Sequence, residues 1–247
     1  MHKNTLLLVI IGTLAGFIGG FLLANSLNRS ETAALRAQTA RTDAPSSNAA
    51  SQKPEPELST DEIRAKIAEA DKNAGDFSYQ KNLGIALYRY SAMKQDNSLL
   101  NDAARILDRA YALNGSDFDV IVAMGNAHFD IGFAKKDATQ YQIAREAYTK
   151  ALELKPADAD VRTDLGLTYF LQEPPALDKA VAELLKVSDA NPKHGRSLHF
   201  LVQVYAKQGK FDDAEKALAK LKAIDPSDPA IADLTTQLVN ARNGAAK

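Results

Sequence analysis

The stretch AREAYTKALELKP, residues 144–156, decides the fold. It places a small residue at Ala144, an aromatic at Tyr148, a second small residue at Ala151 and a proline at Pro156. Alanine, leucine, lysine and glutamate fill most of it, and all are good helix formers. Positions 144, 148 and 151 share one helical face, and Pro156 cannot continue the helix. Three further stretches have this shape: AARILDRAYALNG (103–115), AVAELLKVSDANP (180–192) and DAEKALAKLKAIDP (213–226). Pro192 and Pro226 are 34 residues apart, and Pro156 and Pro192 are 36 apart; Gly115 stands where the first proline would fall. A period of this size marks an internal repeat.

A second helix precedes each stretch. It carries Leu83-Gly84, Met124-Gly125, Leu165-Gly166 or Leu201-Val202, followed by Tyr88, Phe129, Tyr169 or Tyr205. The helices that follow are expected to begin at Ala103, Ala144, Ala180 and Ala214, with Leu107, Tyr148, Leu184 and Leu218 four residues on. Small residues on both partners let two helices cross closely, and the large ones fill the space between hairpins. No such hairpin buries its apolar face alone, so several must stack.

This pattern resembles the tetratricopeptide repeat over residues 77–226. Leu165, Gly166, Tyr169, Ala180 and Pro192 match its signature, as do Leu201, Tyr205, Gly209, Phe211, Ala214 and Pro226. The resemblance implies an all-α fold, a right-handed superhelix of helical hairpins made by four repeats. Residues 57–76 are expected to form an N-terminal capping helix, opened by the capping box Ser59-Thr-Asp-Glu62 with Ile63 and Ile67 inward. Residues 227–247 are expected to supply a C-terminal capping helix and tail, with Ile231, Leu234 and Leu238 packed. Gly84 to Ala103 and Gly125 to Ala144 each span 19 residues, whereas Val202 to Ala214 spans 12. The first two hairpins should therefore be longer, with additions near residues 93–98 and 133–139. The third carries two extra residues, and Pro174-Pro175 is expected to start its second helix.

Ahead of the repeats, Thr5–Ala24 is apolar and uncharged. At ~1.5 Å per residue it spans roughly 30 Å, one bilayer core. Residues 1–24 are thus expected to form a transmembrane anchor, and the Ala/Ser/Thr/Pro-rich residues 25–56 a flexible linker. Gly12, Gly16 and Gly20 share one face of that helix. Small residues at that spacing let membrane helices approach closely, so they are the candidate face of an anchor homodimer. A short N-terminal tail before one anchor suits export of the repeats to the periplasmic side of a bacterial inner membrane. Arg29 and Arg36 behind the anchor argue for the cytoplasmic side.

The chain has 30 basic and 31 acidic side chains, for a net charge of −1, so charge gives no reason to expect nucleic acid as a partner. It has no cysteine, which excludes disulfides, a thiolate nucleophile and a lipoprotein anchor. There is no phosphate loop and no nucleophile elbow. His194 and His199 are five apart, the wrong spacing for two ligands on one helix face, and His128 reads as a packed residue. No enzyme, metal or cofactor is expected. The resemblance implies instead a protein-binding groove on the first helix of each repeat. The matching residues are Lys81, Tyr88 and Arg89, then Asn126, Phe129 and Asp130, then Thr163, Leu167 and Phe170, and finally His199, Gln203 and Lys207. Some tetratricopeptide proteins clamp a chaperone's C-terminal carboxylate; Ile85, Asp160 and Asp164 occupy clamp positions here and argue against that activity. In architecture the chain is similar to single-anchor proteins that serve cytochrome c maturation or the secretion translocon. It also resembles cytoplasm-facing assembly factors. The resemblance thus implies a membrane-anchored scaffold for a partner polypeptide.

Overall fold

The computed structural model describes residues 59–245, and the anchor and linker expected before them lie outside that range. Ten α-helices and no strand occur among the described residues. They fall into two compact units that divide after Gly115.

The first unit holds α1 (Thr60–Lys72), α2 (Phe77–Lys94), a short 3-10 turn (Asn97–Leu99) and α3 (Leu100–Leu113). Ser59 caps α1 through the capping box with Glu62 that the sequence predicts. Ile63 is buried and Ile67 half-buried. The buried Gln80 ties α2 to α1, its Nε2 donating to the carbonyls of Ala70 (2.7 Å) and Asn73 (2.9 Å). Arg105 and Arg109 of α3 both donate to Asp71 of α1, and these hydrogen bonds, helped by the two charges, hold that carboxyl below the usual carboxylate range.

The second unit holds α4 (Phe118–Lys135), α5 (Ala138–Leu154), α6 (Ala159–Leu171), α7 (Leu177–Ala190), α8 (Gly195–Lys207), α9 (Phe211–Ile224) and α10 (Ala230–Ala245). Consecutive helices pair, and the first helices also touch one another in the order α4, α6, α8, α10. They form one inner layer with the second helices behind it. α10 rests on both α8 and α9, so the expected cap takes a first-helix place. Leu234 and Leu238 are buried there, and Ile231 is half-buried.

One local device sets the repeat. Asn114, Lys155, Asn191 and Asp225 each end a second helix, with their N–H bonded to the carbonyl four residues back. Three residues on, Asp117 and Asp158 cap α4 and α6, accepting from the N–H of Val120 (3.0 Å) and Val161 (2.9 Å). His194 caps α8 in the same way, its Nδ1 accepting from Ser197 at 3.2 Å. Gly115, Pro156, Pro192 and Pro226 sit in these turns.

The alanines mark helix crossings rather than helix starts. The second helices begin at Leu100, Ala138, Leu177 and Phe211, three to six residues before Ala103, Ala144, Ala180 and Ala214. Pro174-Pro175 does not open α7 either; it lies in the preceding turn, where the Ala176 N–H reaches the Tyr169 carbonyl at 2.8 Å. The added residues of the first two hairpins do lengthen them: α2 and α4 have 18 residues, α6 and α8 have 13. Both long helices end on a left-handed residue, Gln95 (φ 52°) or Lys136 (φ 54°). An aspartate follows each, Asp96 or Asp137, and accepts from the N–H two residues on at 2.8 Å.

Close crossing at the glycines is direct. A Cβ on Gly84 would sit 2.8 Å from Leu107 Cγ, and one on Gly125 2.8 Å from Tyr148 Cε1. At Gly166 the nearest atom, Leu184 Cγ, is at 3.2 Å.

Candidate partner-binding surface

In the first unit, α2 carries the three residues that the sequence singles out. Arg89 is exposed, Lys81 is half-buried and Tyr88 is buried.

In the second unit the inner layer divides its residues by depth. Phe129, Thr163, Leu167, Phe170, His199 and Gln203 are all buried. They set the layer's packing and do not reach its surface. Phe129 packs edge-on against Tyr141, ring centres 5.6 Å apart. The Thr163 hydroxyl donates to the Ala159 carbonyl at 2.8 Å, turning inward on its own helix. His199 lies 3.1 Å from the Gln203 amide nitrogen, whose N–H donates to Nε2 and leaves the ring proton on Nδ1. Burial pushes its pKa down to about 4; Asp228 opposes this and Arg196 adds to it. His128 is buried, its Nδ1 2.6 Å from Gln140 Oε1, in the packed role that the sequence suggests.

Above this floor lie Asn126 and Asp130, half-buried on α4, and Lys207, exposed at the end of α8. Asn126 is fixed by the Tyr148 hydroxyl, which donates to its Oδ1 at 2.9 Å. Lys207 Nζ stands 5.4 Å from the centre of the Phe170 ring, a cation over an aromatic face.

Asp160 and Asp164 are engaged within the layer. Arg196 at the start of α8 binds Asp164 and lies 3.9 Å from Asp160, while His194 Nε2 lies 3.3 Å from Asp160. The Arg196 and Asp164 side chains are only 11% and 12% exposed, so each neutralises a charge that could not stand there alone. The pair joins α6 to α8 and offers no basic clamp.

Sequence reasoning singles out Lys207 but misses the other cations near it, Arg145, Lys179 and Lys210. Arg145 of α5 and Lys179 of α7 flank the Tyr169 ring, at 5.3 and 5.6 Å from its centre. Lys179, Lys207 and Lys210 line one open cavity of about 700 Å³ between the start of α7 and the end of α8. Lys179 and Lys210 hold no signature position of the repeat, so nothing in its pattern pointed to them. Among the described residues, no group of three His, Cys, Asp or Glu side chains is arranged to hold a metal ion.

Stacked hairpins with a packed inner layer and a polar rim define the class, a helical-repeat array. Tetratricopeptide repeat models match residues 125–158 and 176–238. Among solved structures, a crystal structure of MamA is 24% identical, with a TM-score of 0.54 over 67% of this chain and 87% of that one. MamA residues 41 to the end from Desulfovibrio magneticus RS-1 give 20% identity and a TM-score of 0.55, covering 68% and 86%. TTC0263, a thermophilic repeat protein of Thermus thermophilus, gives 18% and 0.52, covering 73% and 88%. At these identities the likeness is one of fold. No curated protein matches the chain.

Proposed function

We propose that this chain is a membrane-anchored tetratricopeptide scaffold that holds a partner polypeptide during assembly or maturation of envelope proteins, with its repeats on the periplasmic side. The observation that carries the reading is the division of the inner layer by depth. Its apolar members are consumed in packing, while Arg89 in one unit and Lys207 in the other stay exposed. Nothing in the packing requires an exposed cation on a first helix, and a partner's polar groups would use it. The apolar residues 5–24 supply the anchor in this reading.

Arg89→Glu, at the exposed member of α2, should weaken partner capture by the full-length protein and leave its helical circular dichroism and melting unchanged. Exposed substitutions cost under ~0.5 kcal/mol, so a loss of capture would come from the surface. Undiminished capture would exclude α2 as a contact. A cytoplasm-facing scaffold is the second reading, favoured by Arg29 and Arg36. A reporter active only outside the cytoplasm, fused after Lys247, separates the two: activity supports export and silence reverses it.

A further inference from the structure

Three ammonium groups converge where the repeat pattern demands none. Lys179 lies in the first turn of α7, Lys207 ends α8, and Lys210 follows in the turn before α9. All three are exposed and line the same cavity of about 700 Å³, with Pro175, Ala176, Leu177, Asp178 and Gln208. Among the described residues, no ion pair engages any of the three. Asp178 is the acidic member of the lining, and its Oδ1 accepts from Gln208 Nε2 at 2.8 Å. The lining therefore keeps a positive excess. Lys179 and Lys207 also stand over the Tyr169 and Phe170 rings, which fixes two of the cations against the α6 face. α7 has no side-chain cap, so the partial positive charge of its first turn adds to the same opening.

We propose that this opening docks an acidic peptide segment, its carboxylates held by Lys179, Lys207 and Lys210. The inference names the chemistry of the partner assigned above and rests on that reading. Charge complementarity argues for the occupant. A peptide fits better than an anionic membrane. Membrane-binding clusters gather roughly four to eight basic residues on one surface, whereas here there are three, with Asp178 among them. The neighbouring Arg145, which shares the Tyr169 ring with Lys179, would extend the contact by one residue of the peptide.

The test uses the full-length protein in detergent and a fluorescein-labelled octaglutamate peptide, followed by anisotropy. The parent protein should bind it, and binding should weaken as salt rises. The triple variant Lys179→Gln, Lys207→Gln, Lys210→Gln should bind roughly ten-fold more weakly. A control variant, Lys186→Gln, Lys216→Gln, Lys220→Gln, removes the same charge elsewhere on the second unit and should bind like the parent. Equal binding by the triple variant, or equal weakening in the control, would overturn the site. So would a protein that ignores the peptide but binds phosphatidylglycerol vesicles through these lysines. Capture of the natural partner separates this failure from that of the scaffold reading. Capture undiminished in the triple variant overturns the site and leaves the scaffold standing. A parent chain that captures no partner overturns both.

Discussion

At the residue scale, close approach and burial decide what each side chain can do. Gly125 faces the Tyr148 ring, which is 1% exposed and tethered by its hydroxyl to Asn126. Gly125→Ala gains about 1 kcal/mol of helix propensity but forces a clash worth roughly 1–3 kcal/mol. It should destabilise by up to about 2 kcal/mol, and by more than Gly166→Ala, whose neighbour lies further off. Chemical denaturation of both variants checks the ranking. His199 gives a pH dependence. Its pKa is about 4 in the fold against an ordinary value near 6.5, so between these the unfolded chain binds the proton more strongly. Its contribution is complete above pH 6.5 and is lost as the pH falls toward 4, by about 3 kcal/mol at most. His199→Gln should therefore lose less stability than the parent between pH 7 and pH 4.5; equal losses would refute the assignment. The sequence marks Gly125, Tyr148 and His199 as repeat positions but not their depth. A first helix faces its neighbours and the open side at once, so residue type alone did not separate buried Gln203 from exposed Lys207.

At the element scale, the regular turns explain why the repeat was legible. Pro156, Pro192 and Pro226 can be counted in the sequence because each sits in the turn just before the next first helix. The starts of the second helices were less legible. Leu177 and Phe211 follow residues with no side-chain cap, so no cap residue announces them, whereas Asp137 does cap α5. The lengthened hairpins end on Gln95 and Lys136 in a conformation that costs a side-chain-bearing residue roughly 1–2 kcal/mol. Lys136→Gly should relieve that cost and stabilise by about 0.5–1 kcal/mol, after the added entropy of the unfolded glycine is subtracted. Thermal melting reads this directly. A destabilised variant would mean that the aliphatic stem of Lys136 contributes more than the backbone strain removes.

At the scale of the whole molecule, two compact units of helical hairpins follow an apolar stretch suited to a membrane. Each glycine of that stretch would cost ~1 kcal/mol against alanine in a soluble helix. If residues 5–24 cross a bilayer as proposed, every backbone group there must stay paired, and a small face would become a contact surface. Gly16→Ile should disrupt self-association of the anchor in a membrane assay, while Leu14→Ile should not. Pairing would raise the effective concentration of two partner-binding arrays for a shared target. Equal association of Gly16→Ile would exclude the glycine face as a dimer contact. The central claim, that the exposed members of the first helices hold a partner polypeptide, is tested most directly by site-specific photocrosslinking of the full-length protein in its native membrane. A crosslinker at Arg89 or Lys207 should give a discrete adduct with one partner, and a crosslinker at Lys186 or Lys220, on second helices, should give none. Adducts from the second helices alone, or from none of the four positions, would contradict the account.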